Sequence, residues 1–358
     1  MDAYYALPQE ELMKRVGNIS QIAGAKRYFL ADGRGFGTEC VDVRTGSGFE
    51  YTVMPGRGMD IGWCGYKGIP ISYISKVGAS APAYFTGVQD QWRQCFPGGL
   101  LSTCGLGNVG SFCIDENEGI WAQAFGQHGR ISNQCARNIC VSERWDAGVF
   151  RIAVSGEVSE AQLRAEHFTL KRTVSSYIGA ASLVVEDEIT NEDYVDRPCL
   201  YLYHMNFGFP ILEEGARILT SPMEEYIRNE YSSEDRLAAR RISAPIHGMK
   251  ERLFFYRSGN KTGRACAAIV TADGNLLVYV RYSAETLPYL TEWKLMAEAD
   301  YVVGLEAGNC IPKGRAWYRE KDALPMLAAR TSLRTRLEIG IIEGSNKLRE
   351  FISLEQLK

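Results

Sequence analysis

In the stretch Leu202-Tyr203-His204-Met205-Asn206-Phe207-Gly208, alternation places Tyr201, Tyr203, Met205 and Phe207 on one face of a strand. Leu200, Leu202, His204, Asn206 and Gly208 fall on the other face. A histidine and an amide two positions apart therefore project side by side, ahead of a glycine that bares the backbone. Histidine, with an ordinary pKa of about 6.5, donates or accepts a proton near neutrality. The plain structural alternative is a core histidine hydrogen-bonded to its neighbours. Three further polar clusters weigh towards a site.

The first is Pro55-Gly56-Arg57-Gly58-Met59-Asp60-Ile61-Gly62, with an arginine and an aspartate three apart in a glycine-rich turn. Glycine permits positive φ and close approach of a ligand. Arg57 and Asp60 either pair and fix the turn, or present an arginine fork suited to sugar hydroxyls and ring oxygen. The second is Gln127-His128-Gly129-Arg130-Ile131-Ser132-Asn133, which offers no apolar face for a core histidine. It reads as a solvated turn or a ligand-binding loop. The third is Gly304-Leu305-Glu306-Ala307-Gly308-Asn309, where Glu306 ends the apolar run Tyr301–Leu305. A partly desolvated carboxylate there has a raised pKa and is a better base; the alternative is an exposed strand-end glutamate. Upstream, Glu292-Trp293-Lys294 offers an aromatic face and a cation, although Lys294 also fits a sheet-surface charge.

Two apparent motifs point elsewhere. Gly105-Leu106-Gly107-Asn108-Val109-Gly110 matches the dinucleotide fingerprint, but that fingerprint requires a helix at its end, and Ser111-Phe112-Cys113-Ile114-Asp115 reads as strand or loop. His128, His204 and Glu306 have the composition of a two-histidine, one-carboxylate metal triad. The His-x-His pair usual in metal-dependent sugar isomerases on small β-barrels is missing, so a metal centre is a minor alternative.

The elements that must carry these groups read as strands. After a helix-like Pro8–Arg15, short runs rich in Val, Ile, Tyr and Phe recur about every ten residues, punctuated by glycine. They include Tyr28–Leu30, Glu39–Val43, Phe49–Val53, Ile61–Cys64 and Ile69–Tyr73. Residues 77–136 are irregular and read as loops carried on the sheet. Strands resume at Asn138–Trp145, Gly148–Val158, His167–Val174 and Ser182–Thr190, the last without clean alternation. Met223–Arg241 is polar and helix-tolerant. Leu253–Tyr256, Ala267–Thr271, Leu276–Tyr282, Tyr289–Leu295, Tyr301–Leu305 and Ser332–Ile342 complete the set. No sustained crossover-helix period separates them, which argues against a parallel α/β sheet. The expectation is an all-β, large antiparallel β-sandwich spanning 1–358 as a single domain, with 1–24 as a helical extension.

The totals set bounds. A 358-residue chain with 46% hydrophobic residues amply supplies a core. A net charge of −3 gives no electrostatic footprint for nucleic acid or an anionic membrane, and suits a small neutral substrate better. The N-terminus lacks the basic start and apolar run of a signal peptide, and no apolar run approaches the roughly 20 residues that span a bilayer. A cytosolic location is therefore expected. The ten cysteines are scattered without a C-x-x-C pair and are expected to be mostly buried, reduced thiols. The sequons at Asn18 and Asn260 are then chance matches.

Taken in order, the clusters resemble the aldose 1-epimerase (galactose mutarotase) superfamily. More closely, Met54–Ile61, Leu202–Gly208 and Gly304–Asn309 resemble its divergent DUF4432 branch, over roughly residues 25–345. The resemblance implies a β-supersandwich and cofactor-free interconversion of sugar anomers. It makes Glu306 the base that takes the anomeric proton and His204 the acid that protonates the ring oxygen, with His128 and Arg57 holding the ring oxygen and neighbouring hydroxyls. Asp60, Arg130, Asn206, Trp293, Lys294 and Asn309 complete the candidate substrate-binding set. The partner expected is a monosaccharide or modified sugar, and a homodimer is a possible state. One departure concerns specificity. Galactose mutarotases carry a sugar-gripping aspartate some sixty residues before the glutamate, where this chain has Ser243-Ala244-Pro245-Ile246-His247-Gly248. Lys294, Arg281 and Asp60 are the candidate replacements, and cations there are compatible with an acidic or phosphorylated sugar. A sugar-binding protein without turnover, and a sugar lyase or isomerase using the same acid and base, are the competing readings.

Overall fold

The computed structural model describes residues 4–116, 122–227, 239–258 and 263–358. Among these residues the strands form two large antiparallel sheets. The larger runs Gly24–Phe29, Glu39–Arg44, Phe49–Met54, Asp60–Tyr66, Leu101–Leu106, Leu200–Phe207, Asp300–Gly308, Tyr289–Ala297, Arg252–Ser258 and Met223–Ile227 in spatial order. The smaller runs Arg217–Thr220, Arg264–Val270, Leu276–Ser283, Ser332–Glu343, Ser182–Asn191, His167–Tyr177, Val149–Ala161 and Arg137–Asp146.

The sheets face one another across an apolar core. Tyr201, Tyr203, Met205 and Phe207 of the larger sheet meet Val174, Val185, Leu337 and Ile339 of the smaller within one buried cluster. These four are the residues that the alternation of Leu200–Phe207 groups on one face. On the opposite face of the larger sheet, Leu200, Leu202 and Phe255 pack beneath Trp92, Phe96, Ile311 and Tyr318. A third cluster seats the C-terminal helix Ser345–Leu354, which the sequence reading does not anticipate, on the outer face of the smaller sheet through Leu348 and Phe351.

A polar network bolts the sheets together directly under the strand that carries His204. Arg172 grips Asp187 with two donors at 2.9 and 2.7 Å, and also donates to the Tyr201 hydroxyl (2.7 Å) and to Thr103 (2.9 Å). Tyr203 donates to Asp187 at 2.6 Å. Asp187 explains why Ser182–Thr190 lacks clean alternation: a carboxylate takes an inward position between Val185 and Ile189, and Arg172 compensates its charge.

Two regions differ from expectation. Within 77–136, Leu101–Leu106 is a strand at the centre of the larger sheet, paired with Leu200–Phe207. Every residue in it is buried, so it shows no alternation to read. Within Met223–Arg241, Met223–Ile227 is an edge strand paired with Arg252–Ser258, and 228–238 lie outside the described residues. The segment after Gly105–Gly110 forms the short strand Cys113–Asp115, as expected, and no helix opens there. All ten cysteines are free and seven are buried. Among the described residues no helix is long and apolar enough to cross a membrane.

Candidate active site

The site is built on one row of the larger sheet. Antiparallel register sets His204 opposite Glu306 on one side and opposite Ser102 on the other, and Glu306 opposite Thr291. Two residues along, Asn206 lies opposite Gly304, and Gly304 opposite Trp293. All of these side chains project from the face turned away from the smaller sheet. Backbone ladders on both sides of each strand therefore fix the pair, and no mobile loop is involved.

The amide of Asn206 sets the histidine tautomer. Its Nδ2 donates to the carbonyls of Gly99 (3.1 Å) and His204 (2.9 Å), so its Oδ1 faces Nδ1 of His204 at 2.7 Å. An amide oxygen only accepts, which assigns the ring proton to Nδ1. Nε2 then faces Oε1 of Glu306 at 3.2 Å, and at most one proton lies between them. Gly304 makes room for this carboxyl: a Cβ there would lie 2.8 Å from Oε1 of Glu306.

Burial acts on both groups in the direction of neutrality. It pushes His204 down to about 4, opposed by the Asn206 hydrogen bond. It raises Glu306 well above the usual carboxylate range, with Glu251 adding to the rise. Both shifts favour the uncharged forms, a Glu306 carboxyl against a neutral imidazole. Transfer of one proton along the 3.2 Å contact converts them to carboxylate and imidazolium.

Aromatic rings wall the pair. The His204 ring lies 5.2 Å from Trp293, 5.3 Å from Phe96 and 5.9 Å from Trp92, centroid to centroid. His128 packs on Trp92 at 4.5 Å and stands edge-on to His204 at 6.0 Å. Its backbone has φ of 55°, with N–H donating to Gly110 and the carbonyl accepting from Gly105. Burial, then the neighbouring His204 and Arg93, push its ring down to about 3. These groups line a cavity of about 480 Å³, within the range of small-molecule sites. Tyr73, Lys76, Arg93, Gln127, Glu251 and Asp300 complete its rim and walls. Lys76 pairs with Asp300 at 2.7 Å, and the Trp293 indole donates to Glu251 at 2.8 Å.

The structure brings His204, Glu306, Asn206, Trp293 and His128 together, but it places the other candidates elsewhere. Arg57 is buried and donates to the Ser80 carbonyl, away from the cavity. Asp60 faces the interior, where it accepts from the amide and hydroxyl of Thr103 (3.0 and 2.6 Å) and from Ser132. Their side chains do not pair, the Asp60 N–H donates to the Arg57 carbonyl at 2.9 Å, and the glycine turn serves packing. Arg130 turns from the His128 loop to Glu166 (2.5 Å) and Glu160 (3.9 Å). Lys294 has the opposite strand parity from Trp293 and donates inward to the carbonyls of Ala239 (3.2 Å) and Arg241. Asn309 ties the strand end, accepting from the Tyr201 amide (2.7 Å) and donating to the Cys199 carbonyl (2.8 Å). Arg281 lies on the smaller sheet, paired with Glu338 and Glu355. None of Lys294, Arg281 and Asp60 therefore stands in the cavity as a replacement for the missing aspartate.

Sequence reasoning missed Trp92, Arg93 and Phe96, which sit on and just after the short helix Trp92–Cys95. It also missed Tyr73, Lys76, Glu251 and Asp300. The density of aromatics in 77–136 was the available signal, but it does not say which rings turn towards the sheet. Among the described residues no group of three or more His, Cys, Asp or Glu side chains is placed to hold a metal ion. Both ring nitrogens of His204 are already engaged, by Asn206 and Glu306.

The paired antiparallel sheets, with a histidine–glutamate row on the outward face of the larger, define a galactose mutarotase-like fold. The chain belongs to the DUF4432 family, a domain of unknown function, whose model matches residues 35–341. Among solved structures it is similar to a provisionally named aldose 1-epimerase from Klebsiella pneumoniae, at 22% identity over 95% of this chain and 89% of that one, with a TM-score of 0.83. It is also similar to a galactose mutarotase-like protein from Clostridium acetobutylicum (15%, 90% and 99%, 0.62). A third likeness is to galactose 1-epimerase from Lactobacillus acidophilus (10%, 90% and 99%, 0.55). At these identities the likeness is one of fold. No curated protein is matched by the sequence.

Proposed function

We propose that the protein is a cofactor-independent mutarotase that interconverts the anomers of a monosaccharide or modified sugar. The observation that carries this reading is the tautomer-fixed His204 facing Glu306 at 3.2 Å in an aromatic-walled cavity of sugar-binding size. Glu306 takes the proton from the anomeric hydroxyl. The bond between C1 and the ring oxygen breaks, its electron pair goes to the ring oxygen, and that oxygen takes the proton from Nε2 of His204 while C1 becomes an aldehyde. Rotation about C1–C2 and the reverse sequence close the other anomer.

The pair enters this step as carboxylate and imidazolium, one proton transfer from its uncharged form. A hydroxyl donating to Glu306 and a ring oxygen accepting from His204 stabilise that charge-separated form inside the low-dielectric cavity. Trp92, Phe96 and Trp293 offer flat apolar faces to the C–H surface of a sugar ring. Polarimetry or exchange NMR on a panel of aldoses and uronic acids tests the reading. No acceleration over buffer for any sugar that binds refutes it. A sugar-binding protein without turnover instead predicts tight sugar binding that survives Glu306→Gln, and a lyase or isomerase predicts solvent deuterium at a sugar carbon.

A further inference from the structure

Charge on the cavity wall is unevenly compensated. Lys76 is neutralised by Asp300, whereas Glu251 accepts from the indole of Trp293, a neutral donor that does not offset a carboxylate's charge. Arg93 is different: among the described residues its guanidinium has neither a hydrogen bond nor an ion pair, although it lines the cavity. It follows Trp92 on the helix Trp92–Cys95, so the ring that walls His204 carries an exposed cation one residue outward, at the mouth.

His128 stands on the same wall and is also without a partner. Its ring is clamped on Trp92 by a backbone bonded on both sides, yet it makes no side-chain hydrogen bond among the described residues, and its Nδ1 is buried without one. Neutral imidazole keeps one N–H donor. A planar five-donor fork and an imidazole N–H on the lining of one cavity, close enough for Arg93 to act on the His128 ring, suit an oxyanion with several acceptor oxygens.

We propose that the substrate carries an anionic substituent, a carboxylate or a phosphate on the sugar, received by Arg93 and His128 while the anomeric centre rests on His204 and Glu306. This rests on the mutarotase reading for the placement of the anomeric centre, and on Arg93 and His128 alone for the anion.

Calorimetric titration of the full chain with glucose, glucuronate and glucose 6-phosphate tests it, because binding is read independently of turnover. At least one anionic sugar is expected to bind about tenfold or more tighter than glucose, as a charge-assisted contact provides. The carboxylate or phosphate source is named by whichever binds better. Arg93→Ala should bring the ratio of anionic to neutral affinity close to one, and Arg93→Lys should keep part of it. The preference should also shrink as salt is raised. A wild-type ratio near one, a ratio unmoved in Arg93→Ala, or no binding by any of the three sugars overturns the proposal. Tight anion binding without acceleration of mutarotation would overturn the enzyme reading and leave the anion assignment standing.

Discussion

His204 and Glu306 face one another across neighbouring strands, Nε2 to Oε1 at 3.2 Å, because antiparallel register sets them directly opposite. Both are almost fully buried, at 4% and 2% exposure, yet they sit at the floor of the cavity. Their relation is a property of the sheet. Substitutions that shift a side chain by a fraction of an ångström should therefore register in the rate before they register in folding.

The pH dependence follows from the shared proton. His204 is depressed to about 4, so as pH falls through that region the pair gains a second proton and Glu306 can no longer accept one. Glu306 is raised, so as pH climbs the pair keeps its single proton beyond the usual carboxylate range and then loses it. The rate should be bell-shaped with a broad top, its acid limb near pH 4, and both limbs belonging to the pair. Initial mutarotation rates across pH check this. A rate that instead rises with a single ordinary histidine titration near 6.5 contradicts it.

Asn206 should act through the histidine. Asn206→Asp keeps an acceptor at Nδ1 and adds a negative charge, which raises the His204 pKa and moves the acid limb to higher pH. Asn206→Leu removes the acceptor, frees the tautomer and should lower kcat by about tenfold or more. A purely structural role predicts unchanged limbs in the Asp variant.

Gly304→Ala should slow turnover without unfolding the sheet. The new Cβ would sit 2.8 Å from Oε1 of Glu306 and 3.2 Å from the Trp293 ring, so the carboxyl must leave its position opposite Nε2. Circular dichroism should be retained while kcat falls. An unaltered kcat would mean that this carboxyl position does not matter.

Asp187→Asn tests the bolt beneath the site. It leaves Arg172 buried against a neutral partner, and breaking a buried pair in this way costs about 3–5 kcal/mol. Denaturant midpoints measure the loss. A variant as stable as the parent would show that the Tyr201 and Tyr203 hydroxyls suffice to hold Arg172.

The sequence made the centre of the site legible and its margins illegible, for physical reasons. Strand alternation has a strict period of two, so His204 and Asn206 could be assigned to one face without knowing the fold, whereas Glu306, read as a strand end, lies inside the strand Asp300–Gly308. Arg57, Asp60, Arg130 and Asn309 read as ligand-binding groups because turns and strand ends use the same polar residues for their own hydrogen bonds. In the structure those bonds consume them. Lys294 was misread by parity alone, one residue from Trp293. Trp92, Arg93 and Phe96 reach the site through a four-residue helix on an irregular segment, whose path only tertiary packing decides. Leu101–Leu106 left no period because both of its faces are covered.

The most direct measurement is anomer exchange by saturation-transfer NMR on a sugar that binds, comparing the wild-type chain with Glu306→Gln, His204→Asn and the double variant. Each single change should lower the rate by roughly 10²–10⁴-fold, and the double change by less than the product of the two, because a transfer that needs both ends stalls when either is gone. A double variant that still exchanges anomers at a near-normal rate would contradict the assignment of the chemistry to this pair.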